Sequence, residues 1–149
     1  STKCITQFSN NIRNNFGFLN NAKKSASLDR DLLFMQEGRK VFKEVIPMVS
    51  QLITSHLEEE KIKIEEIKRL WLHQANKSMN DFIGKKVLGR VPEDHEQPNI
   101  LQDYANTSSA GSIIAFSFYS EDMKNDEIGV LCSFGAGYSA GSIILKKIS

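Results

Sequence analysis

Residues 128–147 read IGVLCSFGAGYSAGSIILKK. Two apolar runs, 128–134 and 142–147, flank the glycine-rich stretch 135–141, and each has the length and composition of a strand buried on a core. So short a connection turns the chain back on itself, which predicts an antiparallel C-terminal hairpin. Glycines at 135, 137 and 141 permit the close backbone approach such a turn needs. The same stretch holds G-x-S-x-G at 137–141, the pattern of a serine hydrolase elbow. That elbow needs a helix after it and a later acid and histidine, whereas a strand follows here and His56, His73 and His95 all lie upstream. A dinucleotide-binding loop fails on the same ground, because its glycines must lead into a helix.

Upstream of the hairpin, helical and extended patterns alternate. Residues 69–72 read as a short apolar strand, and from about Asn76 the positions Met79, Phe82, Ile83 and Val87 share one helical face that Gly89 stops. From Phe34 onward, Val41, Phe42, Val45, Ile46, Val49, Leu52 and Ile53 recur at three and four, predicting a long amphipathic helix kinked or locally adjusted at Pro47. Asn106-Thr107-Ser108-Ser109 is rich in capping residues and opens a third helix through Ala110, Ile113, Ile114 and Phe118. Residues 1–8 alternate like a strand, residues 9–30 are the least regular, and 58–66 is a mixed-sign solvated run. The order β-α-β-α-α-β-β describes an α/β fold in one domain, 1–149, with helices packed on a mixed β-sheet.

The composition is that of a globular protein, with 40% hydrophobic and 25% charged residues in 149. A net charge of +1 conceals a skew: residues 1–43 carry eight Lys/Arg against three acids. That favours an anionic partner but falls short of a nucleic-acid signature. No apolar run approaches the ~20 residues that cross a bilayer, so no membrane span is expected. Cys4 and Cys132 form no C-x-x-C, the histidines are too scattered for a metal site, and a reducing, cytoplasmic setting is expected. Cys132 sits inside an apolar strand, with no base or helix N-terminus beside it, and reads as packing rather than nucleophile. Because the chain opens on Ser1, within a strand pattern, a fragment of a longer protein is expected.

One polar transition stands out. In LWLHQAN (70–76) an apolar strand ends at His73 and turns polar at once. By itself such a histidine is more often structural. In an α/β layer, however, strand and helix termini converge on one edge, where His73, Asn106 and free N–H groups of the glycine turn could share a crevice.

The stretches WLHQANKSMNDFI (71–83), YANTSSAGS (104–112) and SFGAGYSAGSIIL (133–145) together resemble the second half of the thiolase-like condensing enzymes, and among them β-ketoacyl-acyl carrier protein synthase III. EGRKVFK (37–43) is similar to the family's approach to its long helix. The resemblance implies a thiolase-like C-terminal half and a decarboxylative condensation between an acyl-enzyme and malonyl carrier protein, in fatty acid or related biosynthesis. It assigns His73 and Asn106 as catalytic donors at the thioester oxygen, Ala136 as a backbone oxyanion donor, and Phe134 as a wall of the acyl channel. It also implies acyl-coenzyme A and malonyl carrier as substrates, no cofactor and no metal, and a homodimer in the intact enzyme. The nucleophilic cysteine belongs to the preceding half, which this chain lacks. Carrier docking would fall on Lys43, Lys85 and Lys86, whereas the family's arginine after QAN is replaced by Ser78. A non-catalytic carrier-binding or partner subunit of the same fold is the alternative.

Overall fold

The computed structural model describes residues 1–14 and 33–148. Most of the irregular segment expected over 9–30, from position 15 onward, lies outside the described residues. The elements are β1 (Thr2–Cys4), β2 (Ile12–Asn14), β3 (Phe34–Gln36), α1 (Gly38–Glu59), β4 (Ile67–Leu72), α2 (Lys77–Leu88), α3 (Leu101–Tyr104), α4 (Ala110–Phe118), β5 (Ile128–Gly135) and β6 (Ser139–Lys146). Four strands form one mixed sheet in the order β1-β6-β5-β4, and β2 pairs with β3 in a separate ribbon. Strands β4 and β5 are parallel, whereas β5–β6 and β6–β1 are antiparallel.

The period-two alternation of the strands sorts their side chains onto two layers. Leu70, Leu72, Val130, Cys132 and Phe134 join the core formed with α1 and α2. Trp71 and Leu131 instead meet Ala115 of α4, with Ile100 and Met123 completing that second core. Helix α1 buries Val41, Val45, Val49, Leu52, Ile53 and Leu57 along one stripe. Each such burial contributes about 1.5–3 kcal/mol.

Helix α2 begins where Asn76 Oδ1 accepts a hydrogen bond from the Met79 N–H at 2.8 Å. It ends at Gly89, which adopts φ 70°. Two further contacts secure β4. The Leu70 N–H donates to the Glu96 carbonyl at 2.7 Å, so part of the 90–98 connection covers the strand's outer edge. Arg69, only 2% exposed, forks onto both carboxylate oxygens of Asp122 and also donates to the Tyr119 carbonyl. That carbonyl also accepts from Trp71 Nε1 at 3.1 Å, so the segment after α4 is tied to the sheet.

The hairpin and the alternation of the main helices and strands match the sequence reading, whereas the β2–β3 ribbon, the short helix α3 and several boundaries do not. The first strand stops at Cys4, and a 3-10 turn, Thr6–Asn11, replaces its expected continuation. Phe34 belongs to β3 rather than to the helix, which starts at Gly38. The apolar period of 41–53 is genuine, but pairing of β3 with β2 claims residues 34–36, a long-range effect no local pattern carries. Pro47 lies inside α1 on an exposed position, and the helix is unbroken across it. Finally, Asn106 is not the cap of α4. Its Oδ1 accepts from the Ser108 N–H at 2.9 Å, a closed local turn, and the helix begins only at Ala110.

Candidate active site

Because β4 and β5 run parallel, their C-terminal ends lie at one edge of the sheet. The ladder ends with the His73 N–H donating to the Cys132 carbonyl at 2.8 Å, beyond the Leu72–Cys132 pair. His73 follows Leu72 and Ser133 follows Cys132, so the two residues sit side by side where the parallel pair ends. His73 is 5% exposed. Its Nδ1 lies 3.1 Å from Ser133 Oγ, and the Phe134 ring stands 4.4 Å away, inclined by 47°.

Burial pushes the imidazole pKa down to about 4, so at neutral pH the ring is uncharged and keeps one N–H to donate. The shift has a stability consequence. The folded-state value lies below the 6.5 of a free imidazole. The unfolded chain therefore binds more protons between the two values. Stability is full above about pH 6.5 and declines as pH falls toward about 4, by about 3 kcal/mol in total. Denaturation of the complete protein across that range, beside a His73→Gln variant, measures it; equal acid losses in both would assign the effect to another group.

A cleft of about 620 Å³ opens beside this edge, lined by Ser133, Phe134, Gly135 and Ala136 from β5 and its turn and by Ser108 and Ser109 ahead of α4. The two residues against His73 thus share one cleft with the loop that Asn106 begins. Asn106 itself is exposed. With Oδ1 held by Ser108, its Nδ2 makes no hydrogen bond to the described residues and remains a donor. Left-handed backbone at Ala105 (φ 53°) and Ser108 (φ 58°) brackets it, a costly conformation for non-glycine residues that is common at functional sites.

The turn after β5 is Ala136–Tyr138, with positive φ at Gly137 and Tyr138 but not at Ala136. Alanine at 136 is therefore free of left-handed backbone strain, and it lines the cleft. The Tyr138 carbonyl accepts from the Ile5 N–H at 3.0 Å, tying the turn to the start of the chain. Phe134 lies against the imidazole and lines the cleft.

Lys43, Lys85 and Lys86 are all exposed and form no ion pair with the described residues. An edge-to-face contact between Phe42 and Phe82, at 5.7 Å, joins the turns of α1 and α2 on which they sit. Cys132 is buried, with its thiol pushed up to about 12, and is chemically inert.

Two residues of this edge went unassigned in the sequence. Ser133 is hidden in an apolar strand, and only the parallel register makes it a neighbour of His73. Gln74 reads as part of a polar turn, yet it is fully buried. Its Nε2 donates to the Leu72 carbonyl at 2.9 Å, and its Oε1 accepts from the Ile100 N–H at 3.1 Å. Gly111 of α4 packs so closely on it that an added Cβ would come within 2.8 Å of Gln74 Cβ. The glutamine therefore fixes the spacing between the His73 strand end and α4.

Residues 57–147 match the family model described as 3-oxoacyl-[acyl-carrier-protein] synthase III C terminal. The chain belongs to that family. Over 147 residues it is 61% identical to a β-ketodecanoyl-[acyl-carrier-protein] synthase of Pseudomonas aeruginosa, a match covering 99% of this chain and 42% of that protein. A β-ketoacyl-[acyl-carrier-protein] synthase III of Clostridium perfringens is 35% identical over 111 residues, 73% of this chain and 33% of its own length. The chain thus spans less than half the length of these relatives. Among solved structures, a 3-oxoacyl-(acyl-carrier-protein) synthase III superposes with a TM-score of 0.84 at 20% identity, covering 99% of this chain and 46% of that one. The enzyme of Aquifex aeolicus VF5 does so with 0.80 at 19%, covering 99% and 43%. The thiolase-like α/β architecture of the synthase III family is therefore the fold of this chain.

Proposed function

We propose that this chain is the histidine- and asparagine-bearing part of a β-ketoacyl-acyl carrier protein synthase III-type acyltransferase in fatty acid or related biosynthesis. The observation that carries the reading is the buried, neutral His73 at the edge where the Asn106 loop and the Ala136 turn meet one cleft. In this reading a cysteine from the preceding half takes an acyl group from coenzyme A, releasing the thiol. Malonyl carrier protein then loses carbon dioxide, and the bonding pair moves into a thioester enolate.

Donors are needed where that negative charge develops. His73 and the Asn106 amide would supply N–H groups to the enolate oxygen. The enolate carbon attacks the acyl-enzyme carbonyl, the Ala136 N–H accommodates the resulting oxyanion, and collapse expels the thiolate. Electrons come from the broken carbon–carbon bond, so the step requires no cofactor or metal. A protonated imidazole would draw on the thiolate's charge and lose the neutral donor, which is why the low pKa suits the role.

The preceding half would cover the outer face of α4, where Ile113 and Phe118 are 54% and 58% exposed beside Tyr104 and Tyr119. The complete enzyme would act as a cytoplasmic homodimer. The 61%-identical relative is named for a β-ketodecanoyl product. Condensation with malonyl adds two carbons, so a medium-chain primer two carbons shorter than decanoyl is the first to test.

The experiment supplies complete protein with acyl-coenzyme A primers and malonyl carrier protein and follows the β-ketoacyl product. No product with any primer would support a non-catalytic partner instead. Reversing Lys85 and Lys86 to glutamate is expected to raise the KM for malonyl carrier about tenfold, since the carrier is acidic, while acyl loading from coenzyme A stays near wild type. Equal loss in both steps would remove carrier docking from this surface.

A further inference from the structure

We propose that Ser133 is a positioning residue for His73: its hydroxyl donates to Nδ1 and holds the neutral ring with its proton on Nε2, the nitrogen left to face the reacting thioester. The inference rests on the condensing role given to His73 above, and it deepens that role by naming what sets the tautomer. The placement follows from the sheet. With Leu72 opposite Cys132 in parallel register, the next residues on each strand are lateral neighbours, and the Nδ1–Oγ separation is 3.1 Å.

The direction of that hydrogen bond follows from counting partners. Among the described residues, neither the imidazole nor the Ser133 hydroxyl makes any other hydrogen bond. If Ser133 donates, the Nδ1 lone pair and the hydroxyl proton satisfy each other, and only Nε2–H is left over, available to substrate. If Nδ1–H donates instead, the hydroxyl proton and the Nε2 lone pair are both left without partners. The second arrangement leaves two polar groups of this largely buried pair unmatched where the first leaves one, which disfavours it. The Phe134 ring packs against the imidazole at 4.4 Å, which restricts the ring flip that would exchange the two nitrogens. The role assigned to the Ser133 hydroxyl is thus to fix where the imidazole proton sits.

The test uses the complete enzyme labelled with nitrogen-15 at histidine, the His73 signals being those lost in His73→Gln. Nitrogen shifts and ring couplings of the resting enzyme should report an Nε2–H tautomer. Ser133→Ala should show a mixture of tautomers and a roughly tenfold lower kcat for condensation, the worth of about one neutral hydrogen bond. Its KM for malonyl carrier and its acyl loading should stay unchanged, and Ser133→Thr, which keeps the hydroxyl, should restore both tautomer and kcat. An Nδ1–H tautomer in the wild type, or wild-type condensation by Ser133→Ala, would overturn the assignment. A wild type that holds Nε2–H but makes no carbon–carbon bond would instead sink the condensing role and leave the tautomer assignment standing.

Discussion

Replacing His73 with alanine in the complete enzyme is expected to lower the condensation rate about 10²- to 10³-fold, the usual cost of deleting one preorganised oxyanion donor. Acyl transfer from coenzyme A to the cysteine should change little, because the enolate forms only in the second half-reaction. Single-turnover loading with labelled acyl-coenzyme A, followed by chase with malonyl carrier protein, separates the two steps. Asn106→Ala should share the phenotype, with an added contribution from loss of the Asn106–Ser108 turn that shapes the loop. If either variant condenses at the wild-type rate, the donor assignment is wrong. If loading fails as well, the substitution has damaged the fold, which His73→Gln would reveal by keeping a polar side chain of similar reach.

Gly129→Ala is expected to destabilise the protein by about 3 kcal/mol, at the upper end of the usual overpacking cost. The backbone at Gly129 has no positive φ, so alanine fits the strand conformation and the cost is purely steric. A Cβ there would sit 2.3 Å from Trp71 Cζ3 and 2.5 Å from Cη2. The indole cannot step aside: it is 1% exposed, bonded through Nε1 to the Tyr119 carbonyl, and edge-on to Phe116 at 4.9 Å. In a Trp71→Leu background the same alanine should cost much less, because the opposing ring is gone and the tight contact that remains is the Arg69 carbonyl oxygen at 3.2 Å. Denaturant titration of the four proteins in that cycle measures the coupling. An equal cost in both backgrounds would show that the glycine answers to something other than the indole.

Much of the candidate site was legible in the sequence because its parts are local. The apolar-to-polar switch at His73 follows from where β4 leaves the core, and the two strands around the glycine turn follow from composition and spacing. Asn106 was found by motif, but its local role was misread. A run of Asn, Thr, Ser and Ser offers several capping geometries, and the Asn106 oxygen closes a turn with Ser108 rather than starting the helix. Ser133 and Gln74 were not legible at all. A serine within SFGAG and a glutamine after a histidine become informative only once their neighbours are known.

The sequence by itself determined the α/β class, the alternation of the main helices and strands, and the antiparallel hairpin. Those properties rest on periodicity and residue type, which are read within a few residues of chain. The tertiary structure decided which strand lies beside which, that β3 takes Phe34 from the helix, and that the end of β5, beside His73, opens on one cleft with the loop of Asn106. It also decided that His73 is neutral and that Ser133 is its partner. Burial and register arise from contacts between residues far apart in the chain, 60 positions for His73 and Ser133, and a pKa or a tautomer is a property of that assembled surrounding rather than of the side chain alone.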